Sequence, residues 1–301
     1  MSEQYVRANG IRLAYEEFGQ PDHPAMVLVM GLGTQLLGWP LAMCEELASR
    51  GFRVIRFDNR DIGLSEKMEN AHIPQAVGLM LRARLGLPVN VPYTLTDMAR
   101  DCVGLMDALG IERAHLVGAS MGGMIGQIVA AKFGERLLSF TSIMSSSGNP
   151  RIPGASPDVI RAMVKRSLSG EKPDLASSMA LWRKIGSPAY QPTDAQLKKK
   201  ILDSWQRSDY REGYSRHLAA VIANGSRVKL LRKITTPTLV IHGRDDALVS
   251  VHGGIDTARN IRGARLKIFD GMGHDLPEAL LPEIIELIAS HALESATTVT
   301  A

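Results

Sequence analysis

Short apolar runs alternate with helical patterns along most of this 301-residue chain, and this alternation constrains the fold more than any other feature. Continuous apolar strands indicate a sheet covered on both faces, and strands that alternate with helices indicate a mostly parallel α/β sheet. A hairpin turn at Asn9-Gly10 adds two strands, so we expect about eight. The other predicted strands are Met26–Met30, Phe52–Phe57, Ala114–Val117, Leu138–Met144, Thr238–Ile241 and Arg265–Phe269.

Residues 148–226 interrupt the alternation. This stretch contains no good apolar strand, is mostly helical in pattern, and has proline at positions 150, 153, 157, 173, 188 and 192. We therefore predict a helical cap at 148–226, inserted into an α/β core that is formed by residues 1–147 and 227–301.

Composition excludes several classes of function. The net charge of +4 is spread among acids, and the run Lys198–Lys200 fits a solvated helix face better than a nucleic-acid patch. Neither cysteine lies in a CxxC or Cys/His cluster, and no histidine spacing predicts a metal site. With no secretory signal and no apolar run long enough to span a bilayer, we expect a cytoplasmic protein without cofactor, nucleic-acid or membrane partner. The sequence leaves the oligomeric state open.

The pentapeptide Gly118-Ala119-Ser120-Met121-Gly122 has the pattern GxSxG. It follows a predicted strand and begins a predicted helix, which is the context that a nucleophile elbow requires. Glycines on both sides of the serine permit the sharp turn, and the turn lifts the hydroxyl out of the sheet. Ser120 is therefore the candidate nucleophile.

A nucleophilic serine needs a base and an acid that orients the base. His274 follows the last predicted strand, and Asp245 and Asp246 end the strand before it. Both loops lie at the carboxyl edge of a parallel sheet, where ligands bind. We predict Asp246 as the acid, with Asp245 as the alternative, in the chain order Ser, Asp, His.

Backbone N–H groups after the first long strand are candidates for an oxyanion hole. Met30-Gly31-Leu32-Gly33 ends that strand, and the N–H of Leu32 can pair with the N–H of Met121. Met30 occupies a position where histidine is usual, but the hole uses backbone and does not need that side chain.

Candidate substrate-binding residues are Trp39, Trp205 and His217. Trp39 lies close to the oxyanion loop, where it either lines the pocket or packs in the core. Trp205 and His217 lie in the predicted cap. Trp182, Met163 and Met179 could complete an apolar pocket there, although methionine at helical spacing is also ordinary core.

These motifs resemble the α/β-hydrolase superfamily over almost the whole chain. The marks are Val29-Met30-Gly31, Phe57 to Ser65, the Gly118 elbow, His242 to Asp246, and Gly271 to His274. Within the superfamily the chain is similar to bacterial methylesterases of the aclacinomycin type, and more loosely to proline iminopeptidases and non-haem haloperoxidases. Leu32 departs from that pattern, because a second glycine is expected there. The cap predicted at 148–226 has little similarity to these families. The resemblance therefore implies an α/β-hydrolase fold and a reaction class rather than a substrate.

The residues and the resemblance together predict a serine carboxylesterase that acts on a small-molecule ester through an acyl-enzyme. Two further enzymatic readings use the same triad: a cofactor-free perhydrolase of the haloperoxidase kind, and a lactone or C–C bond hydrolase. A non-catalytic ligand receptor on the same fold is the alternative of a different class. Serine, rather than aspartate, as the nucleophile disfavours dehalogenases and epoxide hydrolases.

Overall fold

The computed structural model describes residues 3–72, 75–85, 87–162 and 174–299, and in these ranges eight strands form one sheet. The strands are β1 (Gln4–Ala8), β2 (Ile11–Phe18), β3 (Ala25–Val29), β4 (Arg53–Phe57), β5 (Ala114–Ala119), β6 (Leu137–Ile143), β7 (Thr238–Gly243) and β8 (Arg265–Phe269). They lie in the order β1-β2-β4-β3-β5-β6-β7-β8. The pairs β1–β2 and β2–β4 are antiparallel, and every other pair is parallel. The predicted fold class and strand number are confirmed.

Helices connect the strands. The α-helices whose first and last residues both lie in the described ranges are α1 (Leu41–Ser49), α2 (Ala76–Arg84), α3 (Leu95–Ala108), α4 (Met121–Lys132), α5 (Leu175–Ile185), α6 (Asp194–Arg207), α7 (Arg211–Asn224), α8 (Val228–Leu231), α9 (Val251–Asn260) and α10 (Leu281–Val299). Thr94 and Asp97 form a reciprocal capping box at the start of α3. Across these ranges, no helix combines the length and the apolar character needed to cross a bilayer.

The core consists of two apolar layers on opposite faces of the sheet. Successive side chains of a strand point to opposite faces, so a strand at the centre must be apolar throughout. In β3, Val27 and Val29 join the layer under α3 and α4, whereas Met26 and Leu28 join the layer under α1 and α10. This double burial explains why the central strands are continuous apolar runs in the sequence.

Between β6 and β7 the described residues contain helices and no strand, and we call residues 144–237 the helical segment. Two buried ion pairs join it to the loop that follows β4. Arg207 on α6 lies 2.8 Å from Asp58, and Arg216 on α7 lies 2.5 Å from Asp61. These pairs hold the segment over the carboxyl edge of the parallel strands, where the candidate site lies.

Candidate active site

Ser120 lies in a strained turn between β5 and α4. Its φ is 55° and its ψ is −119°, a conformation that side-chain-bearing residues rarely adopt. The Ser120 N–H donates to the Ile143 carbonyl at 2.9 Å, which anchors the turn on β6. A Cβ atom at Gly122 would collide with the Val29 carbonyl oxygen, and one at Gly118 with the Gly122 carbonyl. The two glycines of the pentapeptide are therefore required by close backbone packing.

One imidazole joins the serine to a carboxylate. His274 Nε2 lies 2.9 Å from Ser120 Oγ, and His274 Nδ1 lies 2.7 Å from Asp246 Oδ2. The His274 N–H donates to the Ile185 carbonyl at 2.7 Å, so the helical segment also holds the loop in place. The three predicted side chains thus form a continuous hydrogen-bonded chain, in the arrangement that nucleophile, base and orienting acid require.

Asp246 is buried and is held as a carboxylate. Burial alone would raise its pKa, but the charge of His274 and hydrogen bonds from His242 and His274 lower the pKa to about 2. Its second oxygen accepts from the Leu248 and Val249 N–H groups at 2.9 Å and 2.7 Å. These bonds fix the carboxylate, which in turn orients the imidazole.

Asp245, the alternative acid, lies outside this chain of hydrogen bonds. Its side chain is exposed and accepts from the Gly271 N–H at 2.8 Å. It therefore ties the loop after β7 to the loop after β8. The two neighbouring aspartates point in different directions, and only Asp246 contacts His274 within the described residues.

The loop after β3 lies against the serine. A Cβ atom at Gly31 would be 3.1 Å from Ser120 Cβ, so the backbone approaches closely only because residue 31 is glycine. Leu32 and Met121 both line the cavity above Ser120. Neither of their N–H groups has a hydrogen-bond partner among the described residues, and Met121 is the first residue of α4. Unpaired N–H groups at such a place can bind an oxyanion.

His217 does not line the cavity, and the prediction that it binds substrate is corrected. It is fully buried behind the loop after β3, where its Nδ1 accepts from the Gly33 N–H at 3.2 Å. Its Nε2 lies 2.8 Å from the Arg60 carbonyl, so this nitrogen carries the proton. Burial lowers the pKa of His217 to about 4, which keeps the ring neutral at physiological pH.

Trp39 is also corrected as a substrate-binding residue. It is fully buried in the apolar layer that contains Met26, Met43 and Leu47. Its carbonyl accepts from the Arg56 side chain at 2.6 Å, which fixes the backbone there. Packing under α1 therefore accounts for its position, which is the second of the two readings that the sequence left open.

A cavity of about 390 Å³ lies between the sheet edge and the helical segment, and Ser120 and His274 face it. Trp205 and Trp182 line it, in agreement with their predicted position. Met179 is half-buried and does not line the cavity, whereas Met163 lies outside the described residues. The remaining lining is mostly apolar, which suits an organic substrate. The described residues contain no cluster of His, Cys, Asp and Glu that could hold a metal ion.

Sequence reasoning missed Lys200, which also lines the cavity. The run Lys198–Lys200 suggested one solvated face, but α6 presents Lys200, Ile201, Ser204 and Trp205 to the interior. The spacing i, i+1, i+4, i+5 marks one face of a helix and was the signal that could have identified it.

Comparisons with known proteins identify the family and the fold. A family model described as "alpha/beta hydrolase fold" matches residues 24–278. The rhodomycin D methylesterase of Streptomyces peucetius is 25% identical over 97% of this chain and 98% of its own length. The 3-oxoadipate enol-lactonase 2 of Acinetobacter baylyi is 27% identical over 88% of this chain and 87% of its own.

Among solved structures, a meta-cleavage product hydrolase from Pseudomonas fluorescens superposes with a TM-score of 0.76. It is 21% identical and covers 97% of this chain and 98% of its own, so this likeness concerns the fold alone. The two relatives compared by sequence are named as a methylesterase and a lactonase, in agreement with the prediction of a hydrolase. The resemblance inferred from the sequence motifs is confirmed.

Proposed function

Because the chain belongs to the α/β-hydrolase fold family, we propose that it is a serine carboxylesterase that uses Ser120, His274 and Asp246. The observation that carries the proposal is the pair of hydrogen bonds on the His274 ring, 2.9 Å to Ser120 Oγ and 2.7 Å to Asp246 Oδ2. A proton can leave the hydroxyl for Nε2 while Asp246 stabilises the imidazolium that forms.

In the acylation step, the Ser120 oxygen attacks the ester carbonyl as His274 accepts its proton. The carbonyl oxygen becomes an oxyanion, to which the Leu32 and Met121 N–H groups donate. His274 then protonates the alcohol, which leaves as the carbon–oxygen bond breaks. In the second step His274 takes a proton from water as the hydroxide adds to the acyl carbon. The bond between this carbon and Ser120 Oγ then breaks, the proton returns from His274 to Ser120, and the carboxylic acid leaves.

We propose further that residues 148–226 act as a cap over this chemistry. Support comes from the cavity, which has Ser120 and His274 on one side and Trp182 and Trp205 on the other. The methylesterase relative supports a methyl ester as the substrate, and the lactonase relative supports a lactone as the second candidate. Both candidates use the same acyl-enzyme, since a lactone is a cyclic ester.

The test is hydrolysis of p-nitrophenyl esters with acyl chains of two to twelve carbons. We expect Ser120→Ala to lose about 10⁴-fold or more of kcat, because a triad without its nucleophile retains little activity. Ser49→Ala, a change at an exposed serine, is the control and should hydrolyse like wild type. An organophosphonate should label the wild type and the control but not Ser120→Ala. Labelling that persists in Ser120→Ala would refute the assignment, and tight ligand binding without turnover would favour a receptor.

A further inference from the structure

Lys200 places an ammonium group in the wall of the cavity. Its Nζ lies 4.4 Å from the centre of the Trp182 ring, and both side chains line the cavity. The Lys200 side chain is exposed, and desolvation by the protein around it lowers the pKa of the ammonium group. Lys200 is the only lysine or arginine among the described residues that line this space.

The ammonium group lacks an ion-pair partner among the described residues. Asp275 acts on Lys200 through its charge, but the two side chains do not form an ion pair. One Asp275 oxygen accepts instead from the Ser187 N–H at 3.1 Å and from the Ser187 hydroxyl. The N–H donors of Lys200 are therefore available to an anionic group of a ligand.

A second polar group is unpaired on the same wall. Ser178 lines the cavity, and its hydroxyl is buried without a hydrogen-bond partner. Ser178 and Trp182 lie four residues apart on α5, so their side chains are neighbours on one face of the helix. Lys200 Nζ lies over the Trp182 ring, so Trp182 contacts Lys200 and is also the helical neighbour of Ser178.

We propose that Lys200 and Ser178 form a subsite for a carboxylate that the substrate carries in addition to its ester. This inference rests on the proposed esterase function and narrows its substrate class to half-esters and other acidic esters. Lysine donates up to three hydrogen bonds and serine one, and bonds to a charged acceptor are the strong ones. A carboxylate carries one negative charge and matches the single charge of Lys200 better than a phosphate dianion does.

The experiment compares matched esters that differ only in the distal group. The monomethyl esters of dicarboxylic acids with five to ten carbons are set against methyl esters of monocarboxylic acids of equal length, with methanol release as the readout. At the best chain length we expect wild type to favour the acidic ester in kcat/KM. Lys200→Met should reduce that preference about 10- to 100-fold, and Ser178→Ala about 3- to 10-fold. Lys198→Met, an exposed neighbour on the same helix, is the matched control and should keep the wild-type preference.

A binding measurement separates this inference from the proposed function. In the Ser120→Ala background, calorimetry with the same monomethyl esters should give a Kd at least about ten-fold weaker when Lys200→Met is added. If Lys200→Met leaves both the preference for acidic esters and their Kd unchanged, the subsite is overturned, even if ester hydrolysis depends on Ser120. Absence of hydrolysis with any ester would overturn the proposed function instead, and the calorimetry alone would then decide whether the carboxylate subsite exists.

Discussion

The loops at the sheet edge and the helical segment above them are held in place by different means. Backbone hydrogen bonds fix the loops: the Ser120 N–H donates to β6, and two N–H groups of its own loop hold Asp246. Buried side-chain ion pairs fix the segment, since Arg207 and Arg216 reach Asp58 and Asp61. Backbone bonds survive most side-chain changes, so the positions of Ser120 and Asp246 depend little on the side chains around them. The position of the helical segment, which forms the other wall of the cavity, depends instead on these two ion pairs.

The largest expected effect concerns the loop after β7. Asp246→Asn should reduce kcat about 10⁴-fold, because the amide no longer stabilises the imidazolium or selects its tautomer. Asp245→Asn is the matched control, since the same change one residue earlier affects only a loop contact, and we expect a loss below about ten-fold. Steady-state hydrolysis of the ester that the wild type hydrolyses fastest measures kcat for both variants. A greater loss in Asp245→Asn would reverse the assignment of the acid.

The next effect concerns the anchoring of the helical segment. Arg216→Met leaves the buried Asp61 carboxylate without its main partner and should lower the free energy of unfolding by about 3–5 kcal/mol. Arg183→Met is the control within the same segment, because Arg183 pairs with the largely exposed Asp194. A pair of that kind contributes about 1 kcal/mol or less. Urea unfolding compares the two variants, and equal losses would contradict the proposed difference between the regions.

The smallest effect concerns His217, which we expect to act as a positioning residue that links the two regions. It holds the Gly33 N–H, so His217→Leu should release the loop that carries Leu32 and lower kcat about 10- to 100-fold with little change in KM. His217→Gln can accept from Gly33 and donate to the Arg60 carbonyl, and should recover most of the rate. A loss confined to stability or KM, or no rescue by glutamine, would rule out this role.

The sequence predicted well where neighbouring residues decide the geometry. The glycines around Ser120 and the strand that precedes them were enough to place the elbow. The sequence predicted poorly where a side chain could lie on either of two faces of its element. Trp39 is close to the oxyanion loop in sequence, but it packs into the core under α1. Lys200 belongs to a basic run, but the face of α6 on which it lies turns it into the cavity.

By itself the sequence determined the sheet, the chain order of Ser120, Asp246 and His274, and the edge at which they meet, because strand periodicity and turn chemistry are local properties. The sequence favoured Asp246 over Asp245, and the structure shows the contact of Asp246 with His274; tertiary structure alone decided that His217 holds the loop after β3. It also decided that Lys200 faces the cavity. These outcomes depend on contacts between elements far apart in the chain, and a local pattern does not encode which of two faces another element will cover.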